Sequence, residues 1–250
     1  MNKRQLWILF RKEWRQLTAS KSAMATSVLV PIFLLGIIPQ IMGAAVAHPN
    51  PAKNGQLPQA LNIGLFHEID QDPKRLPVAL LPLFVCVVGL VLPSMMATHL
   101  LINEREQRTL ELLVALPVRI EQVLKAKLFA VLAATLCFTV PILAVDMVVL
   151  PLRGAARVQD LIALPLLLAC VLAYSTSVAL LLGVLARDFR TANNIGGAIL
   201  APSIIVTMAL GMLLPGGSIR MLGMGAVYLI AAAVAARIAL RTATFERLLR

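Results

Sequence analysis

The sequence predicts an all-α, polytopic membrane protein with six transmembrane helices, and three observations lead to this fold class. Hydrophobic residues make up 59% of the chain and charged residues 14%, whereas soluble domains are about 45–50% apolar and about 25% charged. The apolar residues fall into six long blocks, each near the roughly 20 residues that a helix needs to cross the hydrocarbon core. Short charged segments separate the blocks, so residues 1–250 are expected to form a single domain.

Each apolar block is predicted to form one span. The predicted spans are residues 23–46, 78–102, 128–150, 161–186, 195–214 and 219–240. Only Pro215, Gly216 and Gly217 separate the last two blocks before Ser218. These two blocks therefore form either a tight helical hairpin or a re-entrant pair.

The orientation follows from the basic residues, because lysine- and arginine-rich loops stay in the cytoplasm. With the N-terminus inside, 17 of the 23 basic residues lie on the cytoplasmic face and 6 on the opposite face. The basic residues flank the spans and form no single stripe, which argues against nucleic acid as the reason for the net charge of +11. We expect a multi-pass protein of the cell's inner (plasma) membrane with both termini in the cytoplasm.

Residues 1–22 are predicted to form a cytoplasmic amphipathic helix, which we call the interfacial helix, in the plane of the membrane surface. Its apolar side consists of Leu6, Trp7, Phe10, Trp14 and Leu17 at helical spacing. Its basic side is expected to consist of Arg4, Arg11, Lys12 and Arg15. The alternative is a secretory leader cleaved after Ala45-Val46-Ala47, but the long leading segment and long apolar block favour an uncleaved anchor.

Residues 47–77 are predicted to form an extracytoplasmic loop or small cap. The segment contains five prolines and two glycines, and its three basic residues balance its three acidic residues. It is too short and too rich in turn-forming residues for a substantial outer domain.

An intramembrane enzyme must be considered, because enzymes of this size and span number exist. A serine protease would need a Gly-x-Ser-Gly setting with a histidine on a neighbouring span. The histidines are His48, His67 and His99, and the pairing is not found. His67-Glu68 alone does not make a zinc site, and the three cysteines lie inside apolar blocks without metal-binding spacing. An enzyme is therefore the less favoured alternative.

Asp146 is the one acidic residue deep in a predicted span, where a carboxylate is costly unless it is paired, hydrated or near the interface. It lies five residues before Pro151, near the predicted outer surface. One interpretation is that it lines a substrate path. The other is that it lies at headgroup level and pairs with Arg153 or Arg157.

The fourth block contains a polar patch that consists of Tyr174, Ser175, Thr176 and Ser177. These side chains line a substrate path or form hydrogen bonds between packed helices, and the second use is the commoner one.

The most specific signal lies in the predicted cytoplasmic segment, residues 103–127. Glu104 and Arg108 stand at i,i+4 spacing, Leu110 and Leu113 belong to a short apolar stripe, and Pro117 ends the pattern. The segment is predicted to form a short amphipathic helix attached to the second span. An ordinary solvated loop helix is the alternative interpretation.

This segment resembles the type-2 ATP-binding-cassette (ABC) exporter permease family. In that family a Glu-x-Glu-x-Gly-Thr-x-Glu-x-Leu-Leu run followed by Pro-Val joins the second and third spans. The matching residues are Glu104, Glu106, Thr109, Glu111, Leu112, Leu113, Pro117 and Val118, and Arg108 replaces the usual glycine. The resemblance extends to Lys12-Glu13-Trp14 in the interfacial helix, to the six-span layout and to Asp188 after the fourth span.

The resemblance implies a transport subunit with no nucleotide site of its own, which works as a dimer with a second permease copy or paralogue. ATP and Mg would be bound by a separate cytoplasmic ABC ATPase. The residues implied to couple to that ATPase are Glu104, Arg105, Glu106, Arg108, Thr109, Glu111, Leu112, Leu113, Pro117, Arg187, Asp188 and Arg190. The interfacial helix is implied to contribute Arg11, Lys12, Glu13 and Trp14. The sequence agrees, because no glycine is followed by lysine and a Gly-Lys-Ser/Thr phosphate loop is absent.

A secondary transporter driven by an ion gradient is the main alternative function. Such transporters favour inverted repeats and several ionisable groups near the membrane midplane. Neither feature is evident in the sequence. The cargo is not specified by any motif.

Overall fold

The computed structural model describes residues 7, 10–12, 14–15, 21–47, 73–106, 120–185 and 189–242. Within these ranges the chain forms helices and no strand, and six helices are long and apolar enough to cross a membrane. The predicted all-α, polytopic fold is confirmed. Span 1 consists of Lys21–Pro31, Ile32–Ile37 and Ile38–Ala47, and spans 2 to 6 are Leu76–Glu106, Ile120–Leu152, Val158–Leu185, Phe189–Leu213 and Ser218–Thr242.

The spans start and end close to the positions that the hydropathy pattern predicts. The largest differences between the predicted spans and the apolar part of each helix, which we call its apolar window, are five residues: the window of span 2 ends at Ala97 and not at residue 102, and that of span 5 starts at Arg190 and not at residue 195. Its first turns include Asn193 and Asn194, which can continue a helix because the backbone hydrogen bonds are made within it. Residues 48–72 of the predicted outer loop lie outside the described residues, and Pro73–Arg75 form a 3₁₀ turn that leads into span 2.

Span 4 is central to the bundle and packs most extensively against spans 6 and 2. The apolar window of span 2 is 67% buried, whereas those of spans 1 and 5 are 22% and 17% buried. Gly89 of span 2 permits a close approach to span 4, since a Cβ there would lie 2.8 Å from a methyl group of Val171. Spans 2, 4 and 6 therefore form the core, and spans 1 and 5 lie at its periphery.

Span 1 is interrupted by a π-helix at Ile32–Ile37. Here the backbone N–H of Ile38 donates to the carbonyl of Phe33, five residues earlier, instead of four. Two prolines flank this turn, and Pro39 can neither donate to the carbonyl of Leu35 nor approach it as a regular α-helix requires. The widened turn relieves that clash. It also rotates the rest of the span by about 100° relative to an unbroken α-helix.

Two tight turns join spans at the end of the bundle that the charge bias predicts to be outside. Gly154 has φ 71° after span 3, and the N–H groups of Gly154 and Ala155 donate to Pro151 and Leu150. This is a Schellman motif, which favours glycine at the left-handed position. Gly217, with φ 74°, precedes span 6. Spans 5 and 6 are thus a hairpin of two helices that are each long enough to cross the membrane.

Candidate functional site

The predicted cytoplasmic segment, residues 103–127, is helical at both of its ends. The helix of span 2 continues from its apolar window, Leu76–Ala97, to Glu106, and the helix of span 3 begins at Ile120, ahead of its window at Leu128. Glu104, Arg105 and Glu106 lie on the first continuation. At 1.5 Å per residue these continuations extend about 13 Å and about 12 Å beyond the apolar windows.

Several residues implied to couple to an ATPase lie outside the described residues. They are Arg108, Thr109, Glu111, Leu112, Leu113, Pro117, Arg187 and Asp188. Arg190 lies in the first turn of span 5 with an exposed side chain. It lies on the same side of the bundle as the two helical continuations, because the chain crosses twice, through spans 3 and 4, between the start of span 3 and the start of span 5.

The interfacial helix is helical at each of its described positions, and Phe10 and Trp14 face the bundle, whereas Trp7 is 64% exposed. The rings of Trp7 and Phe10 stack at 5.5 Å between centroids, and those of Phe10 and Trp14 at 6.0 Å. Phe10 and Trp14 are half-buried against small side chains of the bundle that include Ala130 and Ala134 of span 3. The helix is therefore held next to the start of span 3.

The residues implied to meet the ATPase from this helix fall on different sides of it. Trp14 faces the bundle, Lys12 is exposed, and Glu13 lies outside the described residues. Arg11 is exposed but lines the same groove as the aromatic residues. The expectation that Arg11 belongs to an opposite basic side is wrong, because positions 7, 11 and 14 share one face at helical spacing.

The three hydroxyls of the polar patch at residues 175–177 of span 4 form hydrogen bonds to backbone carbonyls of spans 2 and 4. Ser175 is buried and donates a hydrogen bond of 3.2 Å to the carbonyl of Leu90 in span 2. Thr176 donates to Leu172 and Ser177 to Ala173, each four residues earlier in the same helix. The hydroxyl hydrogens of the three residues therefore already have backbone acceptors.

Asp146 is fully buried, and its partner in the structure is Gln40 of span 1. Gln40 Nε2 donates to Asp146 Oδ1 at 2.8 Å, whereas Oδ2 has no hydrogen-bond partner in the described part of the chain. One of the two interpretations from the sequence named Arg153 or Arg157 as the partner, but both arginines are exposed. One turn deeper, Gly36 faces Ile142, so two contacts spaced four residues apart on each helix join spans 1 and 3.

Sequence reasoning missed a hydroxyl cluster that joins spans 4, 5 and 6. Tyr174 lies 2.9 Å from the hydroxyl of Ser203, and the Tyr228 hydroxyl is hydrogen-bonded to that of Thr207. Ser203 and Thr207 also donate to backbone carbonyls of span 5, and the Tyr228 hydroxyl lies 3.3 Å from the carbonyl of Ser203, so these hydroxyls form one connected network between the three spans. In the sequence, the four-residue spacing of Ser203 and Thr207 indicates that the two hydroxyls lie on one face of a helix. Nothing in the sequence indicates that they pair with tyrosines.

Sequence reasoning also missed three charged residues near the predicted outer end, the partly buried Arg75 and the buried Asp160 and Arg220, which we call the outer cluster. Asp160 Oδ2 accepts from Arg75 Nη2 at 2.9 Å and from the backbone N–H of Arg157 at 3.1 Å. Arg220 is 1% exposed, and its Nη1 donates to the carbonyl of Ala79 at 2.9 Å. The outer cluster thus links the starts of spans 2, 4 and 6.

One contact of the outer cluster, the hydrogen bond from the backbone N–H of Arg157 to Asp160, follows a local sequence pattern. A carboxylate at the third helical position can accept from the N–H of the residue that caps the helix, and Asp160 does so three residues after Arg157. The pattern predicts a helix start but not the ion pair with Arg75, which is distant in sequence. Within the described ranges, no group of three or more histidine, cysteine, aspartate or glutamate side chains could hold a metal ion.

A comparison with known protein families gives a match over most of the chain. A family model described as ABC-2 family transporter protein matches residues 7–226. The match begins in the interfacial helix and ends within span 6, so it includes the segment from residue 103 to 127. Among curated proteins, no match to the chain was found.

Proposed function

This chain belongs to the ABC-2 transporter family, and we propose that it is the permease of an exporter driven by a separate ATPase subunit. The family makes it a multi-pass membrane subunit of an ABC-type transporter and not itself a catalytic one. The finer proposal is that a cytoplasmic ABC ATPase binds ATP and Mg and that this chain converts the resulting movement into export of a substrate.

The observation that carries the proposal is the continuation of spans 2 and 3 past their apolar windows toward residues 107–119. A continuous helix transmits displacement at one end to the other, because its backbone hydrogen bonds resist bending. A subunit seated on the segment between these helices can therefore move both spans. We propose that Glu104, Arg105 and Glu106, together with the motif residues 108–117, are seated in this way.

The mechanism is mechanical coupling. ATP binding would close the two ATPases, and the cytoplasmic segments seated on them would move with them. Span 2 packs in the core against span 4, so its displacement would be passed to the core and not absorbed at the periphery. Charged residues would set the docking geometry, and Leu112 and Leu113 would supply buried contact.

Further ATPase contacts are proposed on the same side of the bundle. Lys12 is exposed on the interfacial helix, and Arg190 is exposed at the start of span 5. Arg187 and Asp188 immediately precede span 5 in the sequence. The basic residues Lys12, Arg187 and Arg190 would contact acidic groups of the ATPase. Such contacts would set the orientation of the ATPase on the permease more than the affinity of the complex.

We propose that the permease works as a dimer. The apolar window of span 5 is 17% buried, and Asn193 and Asn194 near its start are exposed. Amide side chains in a membrane helix gain most from a hydrogen-bonding partner on another helix. A second copy or a paralogous permease would supply it.

Asp146 is the proposed contact on the substrate path among the candidates Asp146, Ser175, Thr176 and Ser177. The three hydroxyls have backbone acceptors, whereas Oδ2 of the carboxylate is buried with no hydrogen-bond partner in the described chain. It lies six residues before Leu152, about 9 Å below the end of span 3. A conformational change that separates spans 1 and 3 would expose it.

Purification from the native membrane followed by an ATPase assay tests the proposal. We expect an ABC ATPase to co-purify with this chain, and we expect ATP turnover only when that subunit is present. The physical reason is that the chain has no Gly-Lys-Ser/Thr loop to hold phosphates. Turnover by the isolated chain, or the consistent absence of an ABC ATPase from the purified complex, would contradict the proposal.

A further inference from the structure

A groove of about 520 Å³ lies between the interfacial helix and span 3. We call it the interfacial groove, and it is lined by Trp7, Phe10, Arg11, Trp14 and Ala133. The four residues of the helix follow one another at i, i+3, i+4 and i+7, which places them on one face. The volume is within the range of small-molecule sites.

The interfacial groove lies at the depth where headgroups meet acyl chains. Ala133 is five residues inside the apolar window of span 3, which corresponds to about 8 Å. Amphipathic helices bury their apolar face about 5–10 Å into this boundary. On the neighbouring surface of span 3, Phe129 and Val140 are exposed, so the groove opens onto the surface that faces the acyl chains.

Arg11 determines which kind of molecule the groove would hold. Its guanidinium is exposed on the aromatic face of the helix, and it has no hydrogen bond or ion pair in the described part of the chain. A guanidinium pairs with phosphate through two parallel hydrogen bonds, and the neighbouring exposed Lys12 adds positive charge. A soluble acidic partner would have to pass the headgroup layer to reach the groove, whereas a lipid is already there.

We propose that the interfacial groove binds one anionic phospholipid, with its phosphate at Arg11 and an acyl chain along the aromatic residues and Ala133. The lipid would fill the space between the helix and span 3 and hold the helix at a fixed height next to the bundle. This proposal does not rest on the proposed coupling to an ATPase.

The two tryptophans of the chain, Trp7 and Trp14, both line the groove, so intrinsic tryptophan fluorescence reports on it directly. The protein is placed in nanodiscs that contain phosphatidylglycerol and phosphatidylcholine, and one of the two lipids at a time carries brominated acyl chains at the same mole fraction. Bromine quenches only the tryptophans that it contacts. One basic residue near a membrane surface favours anionic lipid by an amount that corresponds to about a fivefold enrichment. We expect brominated phosphatidylglycerol to quench with about that advantage.

Substitutions on one helix provide matched controls. Arg11→Gln should remove the preference for phosphatidylglycerol, Arg11→Lys should retain most of it, and Arg15→Gln, outside the groove, should leave it nearly unchanged. Ala133→Leu should reduce quenching by both lipids because it fills the groove from span 3. Equal quenching by the two lipids in the wild-type protein, a preference that survives Arg11→Gln, or no quenching by either lipid would overturn the proposal.

Discussion

At the scale of single residues, the buried charges of this protein are stabilised by contacts that join different spans. Asp160 accepts from Arg75, Arg220 donates to the carbonyl of Ala79, and Asp146 accepts from Gln40. Each charge would be costly at membrane depth if it were left alone. These contacts therefore specify which spans meet as well as stabilising the packing.

The ion pair of the outer cluster gives the first prediction. Asp160→Asn should destabilise the protein by about 3 kcal/mol, because the guanidinium of Arg75, whose side chain is 11% exposed, loses the carboxylate with which it forms an ion pair. The measurement is thermal unfolding in detergent. Arg157→Gln is the matched control, because Arg157 contacts Asp160 through its backbone and its side chain is exposed. Equal losses in the two variants would contradict a specific role for the pair.

The contact between Gln40 and Asp146 gives the second prediction. Gln40→Leu should destabilise the protein by about 1–3 kcal/mol, because the buried carboxylate loses its hydrogen-bond donor. The double variant Gln40→Leu/Asp146→Leu should recover much of that loss, since replacing both partners by apolar groups leaves no buried polar atom unsatisfied. Unfolding of the single and double variants measures the coupling, and strictly additive losses would show that the two side chains do not interact.

A substitution of Asp146 can distinguish a structural role of this residue from a role in transport. Asp146→Asn keeps an acceptor for Gln40 but removes the negative charge. If Asp146 contacts the substrate as proposed, transport should fall while the amount of protein in the membrane stays normal. Unchanged transport by this variant would leave Asp146 a purely structural residue.

At the scale of elements, the π-helix of span 1 sets which face of the following helix meets span 3. Ile32–Ile37 directly precede the turn that carries Gln40. A sequence pattern based on a 3.6-residue period cannot locate such a turn, because the extra residue shifts every later position by about 100°. For this reason Asp146 could be identified as unusual from the sequence, whereas Gln40 could not be identified as its partner.

Single-residue deletions test the role of this turn, and this is the third prediction. Deleting Phe33 within the π-helix should remove the extra residue of the widened turn and keep both flanking segments in register, with a bend at Pro39. Deleting Leu29 in the preceding α-helix should rotate one flank by about 100° and disrupt packing. Both side chains are exposed, 57% for Phe33 and 64% for Leu29, so their own contacts differ little. Comparable membrane abundance of the two variants would contradict the proposed register role.

The helices of spans 2 and 3 show what hydropathy can and cannot predict. Their apolar windows have the length and composition that a crossing of the hydrocarbon core requires, so the pattern locates these windows to within five residues. The helical continuation to Glu106 and the early start at Ile120 contain charged residues, and they form because the backbone hydrogen bonds of each span continue into them. Hydropathy alone does not predict where the helix of span 2 ends or where the helix of span 3 begins. The i,i+4 spacing of Glu104 and Arg108 did indicate a helix in this segment.

At the scale of the whole molecule, span number and approximate span bounds were predictable because the hydrocarbon core imposes one length and one polarity on every crossing. The outer cluster and the hydroxyl cluster were not predictable. Each joins residues far apart in the chain, such as Arg75 and Asp160 or Tyr174 and Ser203. A single sequence contains no information on which of many apolar helices lie side by side.

The orientation of the whole molecule is the fourth prediction, and it rests on the bias of 17 basic residues against 6. Single cysteines introduced at Arg4, Gln107, Arg190 and Arg250 should be labelled only after the membrane is permeabilised. Cysteines at Asn54 and Arg153 should be labelled in intact cells. The background is a variant without the three native cysteines. Labelling at Gln107 from outside would reverse the topology and remove the proposed ATPase contact.

The central claim is that the cytoplasmic segment from residue 103 to 127 couples this chain to an ATPase, and docking of that partner tests it most directly. Glu104→Lys, Glu111→Lys and Leu113→Ala are compared with two matched controls, Glu68→Lys in the predicted outer loop and Leu152→Ala, whose side chain is 81% exposed.

The measurement is the affinity of the co-purified ATPase for each variant in nanodiscs. Loss of an interface anchor or of a paired charge should weaken docking by about 1–4 kcal/mol, whereas the controls should change it by well under about 1 kcal/mol. All variants should insert into the membrane normally, because none of the changes alters the hydrocarbon-facing pattern that directs insertion. Wild-type affinity in all three coupling variants would contradict the account.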